Sequence, residues 1–238
     1  RFLREHHVHF QPGVNEDLAA TAVWGSQQVK DIGESPWDGV FALWYGKGPG
    51  VDRSGDPLKH GNYAGSSRHG GVLALCGDDH GARSSTIAHQ SDHALIHFGM
   101  PILFPATIQE YLDLGLHGFA LSRYAGCWVG FKCVTDVVEG SASVAVDPAR
   151  VRIVEPRDFT APAGGLNLKL GMFPLAAEAQ VLARLEAAKA YVRANGLDRV
   201  IWPKARARLG IVSTGKAWLD VMDALPQLGI DEARAAEL

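Results

Sequence analysis

The sequence contains few cysteines, and their pattern excludes two classes of protein. Cys76, Cys127 and Cys133 are the three cysteines in 238 residues, and no two of them form a CxxC pair. A set this sparse and odd in number does not make the disulfide framework of a small secreted protein. It also excludes a four-cysteine iron–sulfur ligand set built from this chain alone. We therefore expect a reducing compartment, the cytoplasm.

Long apolar runs and an excess of positive charge are also absent from the sequence. No apolar run approaches the ~20 residues that cross a bilayer. The 23 Lys and Arg residues are slightly outnumbered by 26 Asp and Glu residues, whereas a nucleic-acid-binding protein normally carries a basic stripe. The composition therefore argues against membrane and nucleic-acid partners.

The chain lacks a starting methionine and a signal-peptide pattern. It begins at Arg1, and no basic start with an apolar stretch follows. We therefore expect a piece of a larger polypeptide, or a chain that is missing its disordered start.

What is present is the composition of an ordinary globular protein, with 47% hydrophobic residues. A domain averages about 150 residues, so the length predicts about one to two domains. Up to residue 158, short apolar runs that end at glycine alternate with helical patterns. This alternation predicts an α/β fold, an open and mostly parallel sheet with helices on both faces. The predicted strands are 40–45, 71–76, 101–104, 127–133 and 151–154, and the predicted helices are 18–29, 87–96 and 108–121.

The later part of the chain has a different residue composition. After a turn-rich break at 161–165, residues 175–194 consist mostly of strong helix formers, and an Asn-Gly pair follows as a helix stop. A predicted strand at 209–212 and a predicted helix at 218–225 then resemble the opening of a second α/β unit. We predict a domain at 1–158, a linker with one long helix at 159–208, and the start of a second unit at 209–238.

Glu16 is the first candidate for chemistry. A Pro-Gly turn, a capping Asn15 and a helix of small residues place Glu16 in a first helical turn. In one interpretation, Glu16 and Asp17 only complement the helix dipole, for about 0.3–1 kcal/mol each. In the other, the small residues press the helix against a neighbour and bury a carboxylate at its head, and its pKa rises until it finds a partner. The residue pattern alone leaves both open.

Two polar segments follow predicted strands. The glycine-rich segment at 46–56 lacks the phosphate-loop pattern. Its glycines either let the backbone approach a ligand or form a plain tight loop. The loop at 77–85 carries Asp78, Asp79 and His80 where a strand ends, the edge at which open α/β sheets bind ligands. We interpret it as a polar lip of an active site or as a set of structural hydrogen bonds.

A zinc site is a weaker alternative for this region. His89 and His93 are four residues apart and would share one helix face. The intervening residues lack the glutamate of an HExxH motif, which would act as the general base. We therefore predict no metal site in this chain.

Five segments, in order over nearly the whole chain, resemble one known family. They are FQPGVNEDLAATAVWGSQQV, DGVFALWYGKGPGVDRSGDPLKHGNYAG, HGGVLALCGDDHGARSST, QEYLDLGLHGFALSRYAGCWVGFK and ARLGIVSTGKAWLDV. They resemble the indolepyruvate ferredoxin oxidoreductase family, the long fused type of thiamine diphosphate-dependent 2-oxoacid:ferredoxin oxidoreductases. The resemblance implies a thiamine diphosphate-binding fold, with residues 1–158 as most of the pyrimidine-binding domain. Residues from 209 onward would begin a transketolase C-terminal-like domain.

The resemblance also implies roles for individual residues. Glu16 would be the catalytic glutamate that hydrogen-bonds N1′ of the cofactor's aminopyrimidine ring and so helps the ring to reach its reactive form. Gly50 and Val51 would form a turn that lines the pyrimidine pocket. The residues implied to line the substrate end are Asp78, Asp79 and His80.

The implied reaction is the oxidative decarboxylation of indolepyruvate, or a similar aryl or branched-chain 2-oxo acid, to an acyl-coenzyme A. Ferredoxin would accept the electrons. The implied cofactors are thiamine diphosphate with Mg²⁺, and iron–sulfur clusters elsewhere in the parent protein. The implied partners are a pyrophosphate-binding domain of the same or a second chain, within a homo-oligomer. A non-catalytic assembly module of the same fold is the alternative.

The sequence departs from the family in three places. It lacks the family's Gly-Tyr-Arg-Gly-Ser loop, a Gly-Asp-Gly followed by Asn, and the cysteines that bind clusters. We therefore expect a domain absent from this chain to hold the diphosphate and its Mg²⁺. We predict that these 238 residues alone neither bind the cofactor nor turn over substrate.

Overall fold

The computed structural model describes residues 1–29, 33–147, 149–167, 174–202 and 207–237. Strands and helices alternate along most of the chain, as the hydrophobic pattern predicts. The strands are β1 (Phe41–Lys47), β2 (Gly71–Asp78), β3 (Ile102–Leu103) and β4 (Trp128–Val134). The helices are α1 (Phe2–Glu5), α2 (Glu16–Ser26), α3 (Gly48–Arg53), α4 (Gly55–Ala64), α5 (Asp92–His97), α6 (Ile108–Ala125), α7 (Thr135–Val138), α8 (Pro174–Asn195), α9 (Lys216–Gln227) and α10 (Glu232–Glu237).

These strands form a parallel sheet in the order β1-β2-β4-β3. β1 pairs with β2 from Phe41 opposite Gly71 to Lys47 opposite Gly77. Because the pairs are parallel, the carboxyl ends of the strands lie together at one edge. The predicted fold class, an α/β fold built on a parallel sheet, is confirmed.

Helices cover both faces of the sheet, because successive side chains of a strand point to opposite faces. On one face, Leu73 and Phe131 share a core with Leu121 of α6 and Tyr191 of α8. On the other face, a second core joins the strands to α2, α4 and α5. Its members include Ala20, Trp44, Leu58, Val72, Ala74, Leu95 and Trp128. Burial on both faces explains why the central strands are nearly continuous apolar runs.

The cysteines and the helices of the described residues can be compared with the composition. Cys76, Cys127 and Cys133 are all buried free thiols. Among the helices of the described ranges, none has the length and apolar character needed to span a membrane.

The glycine-rich segment at 46–56 forms the end of β1, helix α3 and the start of α4 rather than a loop. Pro49 lies in the first turn of α3, where its fixed φ and missing N–H are tolerated. The expected turn at Gly50 and Val51 is therefore wrong, since both residues lie inside α3 and are buried. The helix predicted at 87–96 is also shorter than expected, because α5 begins at Asp92.

Two predicted strands are not strands in the structure. At 151–154, the side chain of Asn195 takes the place of a neighbouring strand. Its Oδ1 accepts from the Val154 N–H at 2.8 Å, and its Nδ2 donates to the Val154 carbonyl at 2.9 Å. Residues 209–212 likewise form no strand, and Leu209 and Val212 are exposed. A strand needs a neighbour for its backbone hydrogen bonds, and neither segment has one among the described residues.

The predicted long helix, α8, shares a core with the sheet. Arg184 on α8 is 1% exposed and binds carbonyl groups at the end of α4. Its guanidinium donates to the carbonyl oxygens of Asn62, Tyr63 and Ala64 at 2.9–3.1 Å. These carbonyls have no partner within their own helix. The division of the chain at 158 and 208 stays a prediction, and this residue fixes α8 to the end of α4.

Candidate functional site

Polar side chains gather where the strands end. Glu16 lies beside Gly46 near the end of β1. Asp78 is the last residue of β2, and Lys132 lies near the end of β4. Open α/β proteins bind their ligands at this edge, outside the carboxyl ends of the strands. This edge is therefore the candidate site.

Glu16 is the first residue of α2, and two hydrogen bonds set its position. The side chain of Asn15, the N-cap, accepts from the Leu18 N–H at 3.0 Å. The indole N–H of Trp44 donates to the carbonyl oxygen of Glu16 at 2.9 Å. Because Trp44 is buried, the start of α2 is fixed to the core side of β1. The predicted cap at Asn15 is confirmed.

The carboxylate of Glu16 lies against α3. A Cβ atom on Gly50 would come within 2.8 Å of Glu16 Cγ and 3.2 Å of its Oε1, so glycine leaves the space that Glu16 fills. The Arg53 guanidinium lies 3.8 Å from Glu16 Oε2 and 3.3 Å from Asp17 Oδ1. The Glu16 side chain is 39% exposed. The carboxylate thus packs against a neighbouring helix, as the second interpretation expects, but it is half-buried rather than enclosed.

Gly50 and Val51 have different surroundings. Gly50 backs the Glu16 side chain. Val51 is fully buried in the core that contains Leu58 and Leu95. The side chain of Val51 therefore faces the protein interior, and Gly50 is the member of the pair that lies at the edge of the sheet.

The carboxylate of Asp78 is buried and bound by protein groups. Ser91 donates to it through its N–H at 2.9 Å and its hydroxyl at 2.6 Å. The Lys132 ammonium lies 3.5 Å from Asp78 Oδ2 and also binds the carboxylate of Asp92. This cluster joins the ends of β2 and β4 to the start of α5. Asp78 therefore has the contacts that the structural interpretation expects.

Asp79 shapes the loop that follows β2. The backbone N–H groups of Ser84 and Arg83 hold the pKa of Asp79 below its ordinary value, and the Ser84 N–H lies 2.7 Å from Oδ2. Lys47, at the end of β1, binds the same loop with its Nζ 2.8 Å from the Ser84 carbonyl oxygen. The loop is therefore held from two strands.

A small cleft of about 80 Å³ lies beside this loop. Its lining residues are Asp78, Asp79, His80, Gly81, Arg83, Val134, Thr135 and Asp136. The side chain of His80 is 47% exposed, and its Nε2 lies 4.0 Å from Asp78 Oδ2. The structure therefore brings together the three residues predicted for the substrate end, whereas Glu16 is not among the residues that line this cleft.

The two histidines considered for zinc do not lie on one helix. His89 precedes α5 and His93 lies inside it, so they do not share a helix face. His89 instead contacts Gly48, and its Nδ1 lies 3.6 Å from the Asp52 carboxylate. In the part of the chain that the structure describes, no three His, Cys, Asp or Glu side chains come together as a metal site.

Lys132 is the candidate that sequence reasoning missed. It lies within the apolar run CWVGFKC, and a charge at an expected buried position is the signal that could have found it. Its side chain is nearly fully buried between two carboxylates, and its Nζ lies 4.8 Å from the centre of the Phe104 ring. A charge at this depth requires such partners.

Comparisons with known proteins point to one family. A family model described as an indolepyruvate oxidoreductase domain matches residues 199–238. Indolepyruvate oxidoreductase subunit IorA of Methanothermobacter marburgensis is 24% identical over 235 residues. The subunit of the same name from Methanothermobacter thermautotrophicus is 27% identical over 230 residues. Each match covers 94% of this chain and 34% of the relative, so the chain spans about a third of the length of these relatives.

The two kinds of match agree with the resemblance in the sequence. The relatives align over nearly the whole chain. The family model covers the region of the fifth resembling segment, ARLGIVSTGKAWLDV. This chain is therefore similar to proteins of the indolepyruvate oxidoreductase family.

Proposed function

We propose that this chain supplies the glutamate that activates thiamine diphosphate in a cytoplasmic oxidoreductase acting on 2-oxo acids. The observation that carries the proposal is the Glu16 carboxylate, which is held at the first turn of α2 and is 39% exposed at the carboxyl edge of the sheet. The proposed substrate is indolepyruvate or a similar aryl or branched-chain 2-oxo acid. Coenzyme A is the proposed acyl acceptor, and ferredoxin the proposed electron acceptor.

The contacts of Glu16 leave it able to bind a ligand. The 3.8 Å between Arg53 and Glu16 Oε2 exceeds the length of a hydrogen bond. Arg53 is itself half exposed, so a ligand can displace it without breaking a buried pair. The backbone of Glu16 is fixed by Trp44. A carboxylate with a fixed backbone and a loosely held head suits proton sharing with a ring nitrogen.

The residues present fit one end of thiamine diphosphate. The half-exposed Glu16 carboxylate offers an oxygen to N1′ of an aminopyrimidine ring at the edge where open α/β sheets bind ligands. The diphosphate end does not fit, because the sequence lacks a Gly-Asp-Gly followed by Asn and the described ranges hold no cluster of metal ligands. We propose that a pyrophosphate-binding domain of the same or a second chain holds the diphosphate and Mg²⁺, within a homo-oligomer.

The chemical contribution of this chain is acid–base assistance. When bound, thiamine diphosphate supplies the electron sink that lets a 2-oxo acid lose CO₂. Glu16 is proposed to share a proton with N1′ of the ring. Assistance of this kind changes rates by about 10²–10⁴-fold. Iron–sulfur clusters elsewhere in the parent protein are the proposed route for the electrons.

The cleft beside β2 is the proposed substrate end. Asp78 and Asp79 are both engaged with protein groups, and they hold the loop. His80 has an exposed side chain at this cleft. We therefore propose that His80 contacts the 2-oxo acid directly and that the two aspartates position it.

The substitution Glu16→Gln in the complete oxidoreductase tests the catalytic assignment. We expect kcat to fall by about 10²-fold or more, because glutamine cannot exchange a proton with the ring. The matched control is Asp17→Asn, in the same helical turn and also in contact with Arg53, for which kcat should stay near wild type. A wild-type rate for Glu16→Gln would contradict the proposal and favour a non-catalytic assembly module.

The chain by itself provides a second test. Titration of the 238-residue chain with thiamine diphosphate and Mg²⁺ in a calorimeter should give no binding at millimolar cofactor, and the chain should not oxidise indolepyruvate. Tight binding by the chain alone would contradict the assignment of the diphosphate site to another domain.

A further inference from the structure

Lys132 is the cation at the centre of a buried ion cluster. Its side chain is 4% exposed and lies between the carboxylates of Asp78 and Asp92, which are 0% and 26% exposed. Taking charges out of water costs free energy, so replacing a buried ion cluster with apolar residues of similar volume is often neutral or stabilising. The cluster is therefore weak evidence for stabilisation, and its place beside the candidate site indicates a further role.

Three nitrogen atoms lie near one oxygen atom of Asp78. The backbone N–H of Ser91 donates to Oδ2 at 2.9 Å. The Lys132 ammonium lies 3.5 Å from the same Oδ2, and Nε2 of His80 lies 4.0 Å from it. The other oxygen, Oδ1, accepts from the Ser91 hydroxyl at 2.6 Å. Asp78 Oδ2 is thus shared between a buried cation and a histidine that lines the cleft.

His80 lies close to this oxygen without being bound to it. The 4.0 Å between Nε2 and Asp78 Oδ2 exceeds the length of a hydrogen bond, and the His80 side chain is 47% exposed. A carboxylate oxygen offers about two acceptor sites. The Ser91 N–H takes one of them, and Lys132 is nearer to the other than His80 is. Nε2 of His80 is therefore available to a ligand in the cleft.

Lys132 is also the cation that offsets the charge of Asp78. Among the Lys and Arg side chains that the structure describes, it alone lies within 4 Å of this carboxylate. Arg83 lines the same cleft, but its guanidinium lies beside the carboxylates of Asp136 and Glu139, at 3.4 Å and 3.8 Å. A buried carboxylate without its cation attracts any remaining donor more strongly, because the protein interior screens charge poorly.

We propose that Lys132 is a positioning residue that keeps His80 free for the substrate. It shares the charge of Asp78, so that Asp78 attracts His80 to the cleft without accepting its Nε2–H. The Nε2–H then donates to the 2-oxo acid. This inference rests on the proposed function, in which His80 contacts the substrate, and adds the residue that controls the contact. A role confined to joining β2, β4 and α5 is the alternative that the tests distinguish.

The 238-residue chain tests the capture of His80 by Asp78. In Lys132→Gln, the side chain at position 132 can still donate a hydrogen bond but carries no charge. We expect Nε2 of His80 to move to hydrogen-bond distance of Asp78 Oδ2. A hydrogen-bonded N–H exchanges with water more slowly than an exposed one. The Nε2–H signal of His80 should therefore appear in the ¹⁵N–¹H spectrum of the variant and be absent from that of the wild type. His80→Gln assigns the signal.

Steady-state kinetics of the complete oxidoreductase test the consequence for the substrate. Lys132→Gln should raise KM for indolepyruvate by about 10-fold or more and leave kcat within about threefold of the wild type, because capture removes a ground-state contact. In a His80→Gln background, the same substitution should not change KM further, since it acts through that side chain. Adding Asp78→Asn to Lys132→Gln should return KM toward the wild-type value, because the neutral amide attracts His80 less strongly.

Two further variants complete the test. Lys189→Gln is the matched control, because Lys189 is exposed and pairs with Glu186 on α8, and it should change neither the spectrum of His80 nor KM. If circular dichroism shows that Lys132→Gln unfolds the chain, Lys132→Gln/Asp92→Asn takes its place. That double variant removes one of the two carboxylates left without a cation, and the same results are expected of it.

Three results would overturn the proposal. The first is the absence of an Nε2–H signal of His80 in the folded variant. The second is an equal rise in KM on substitution of Lys132 with and without His80, which would show that Lys132 acts on the fold alone. The third is a wild-type KM for His80→Gln. This third result also overturns the substrate contact in the proposed function, whereas the first two leave that contact standing.

Discussion

The indole N–H of Trp44 donates to the main-chain carbonyl of Glu16 over 2.9 Å, which joins the middle of β1 to the first turn of α2. The bond acts on the backbone, so it fixes where the Glu16 side chain begins and leaves the carboxylate free. The indole ring also lies over Gly46, where a Cβ would come within 2.8 Å of it. One buried aromatic residue thus sets the position of the proposed catalytic group.

Trp44→Phe should weaken this connection. The substitution removes the hydrogen bond and leaves a cavity in the core, so we expect the free energy of unfolding to fall by about 1–3 kcal/mol. Urea denaturation followed by circular dichroism would measure the change. Trp37→Phe is the control, because Trp37 is exposed and should shift stability by less than about 0.5 kcal/mol. Equal effects of the two substitutions would contradict the role of Trp44.

Lys132→Met should be strongly destabilising. The substitution leaves Asp78 and Asp92 without their shared cation, and breaking a buried ion pair typically costs about 3–5 kcal/mol. Lys189→Met removes an exposed pair with Glu186 and should cost less than about 1 kcal/mol. Adding Asp78→Asn to Lys132→Met should recover part of the loss. A double variant no more stable than Lys132→Met would show that the charge is not the cause.

Arg184→Met tests how α8 is held. Several carbonyl groups of α4 lose their donor, and hydrogen bonds to a charged group contribute about 1.5–3 kcal/mol each. We expect the free energy of unfolding to fall by about 3 kcal/mol or more, with faster hydrogen exchange along both α4 and α8. Arg193→Met, which removes an exposed pair with Asp158, is the matched control. Wild-type exchange in α4 after Arg184→Met would contradict this account.

Asp79→Asn should change how the free energy of unfolding depends on pH. Backbone N–H groups of Ser84 and Arg83 lower the pKa of Asp79 from its ordinary 3.8 in the folded state. The ionised carboxylate therefore stabilises the fold above pH 3.8, and this contribution is lost as pH falls through the lower folded-state pKa. The variant should lose less stability between about pH 6 and about pH 3 than the wild type.

The control for this prediction is Ser84→Ala. It keeps the backbone N–H that is the main cause of the lowered pKa, so its acid dependence should stay close to that of the wild type. Identical acid unfolding curves for Asp79→Asn and the wild type would show that the loop contact does not stabilise the fold.

The sequence predicted the central strands and the long helices because their signals are local. The apolar run at 71–76 became β2, and the helix formers at 175–194 became α8. The errors fall where local signals conflict with tertiary contacts. The glycines at 46–56 suggested a loop, but residues 48–53 form a helix whose first turn accepts Pro49. The small side chain of Gly50 also lets Glu16 approach this helix. Residues 151–154 have the apolar pattern of a strand, yet the side chain of Asn195 makes the hydrogen bonds of the Val154 backbone that a neighbouring strand would make.

Some residues of the candidate site could likewise be found from the sequence, and one could be found only from the structure. Spacing in the sequence alone found Glu16 at a capped helix start and Asp78, Asp79 and His80 after a strand, because capping and strand ends are read from neighbouring residues. The resemblance to the indolepyruvate oxidoreductase family was also visible in the sequence. Lys132 gained its partners from β2 and α5, elements that are distant in the chain.

The sequence by itself determined the α/β class, the helix cap before Glu16 and the resemblance to the indolepyruvate oxidoreductase family, because each depends on the order of residues along the chain. The tertiary structure alone decided that Glu16 is half-buried against Gly50, that Val51 faces the core, and that β1 is an outer strand of the sheet formed by the described residues. These properties arise from which surfaces meet after the chain has folded, and burial and charge pairing between distant segments leave no periodic trace in the sequence.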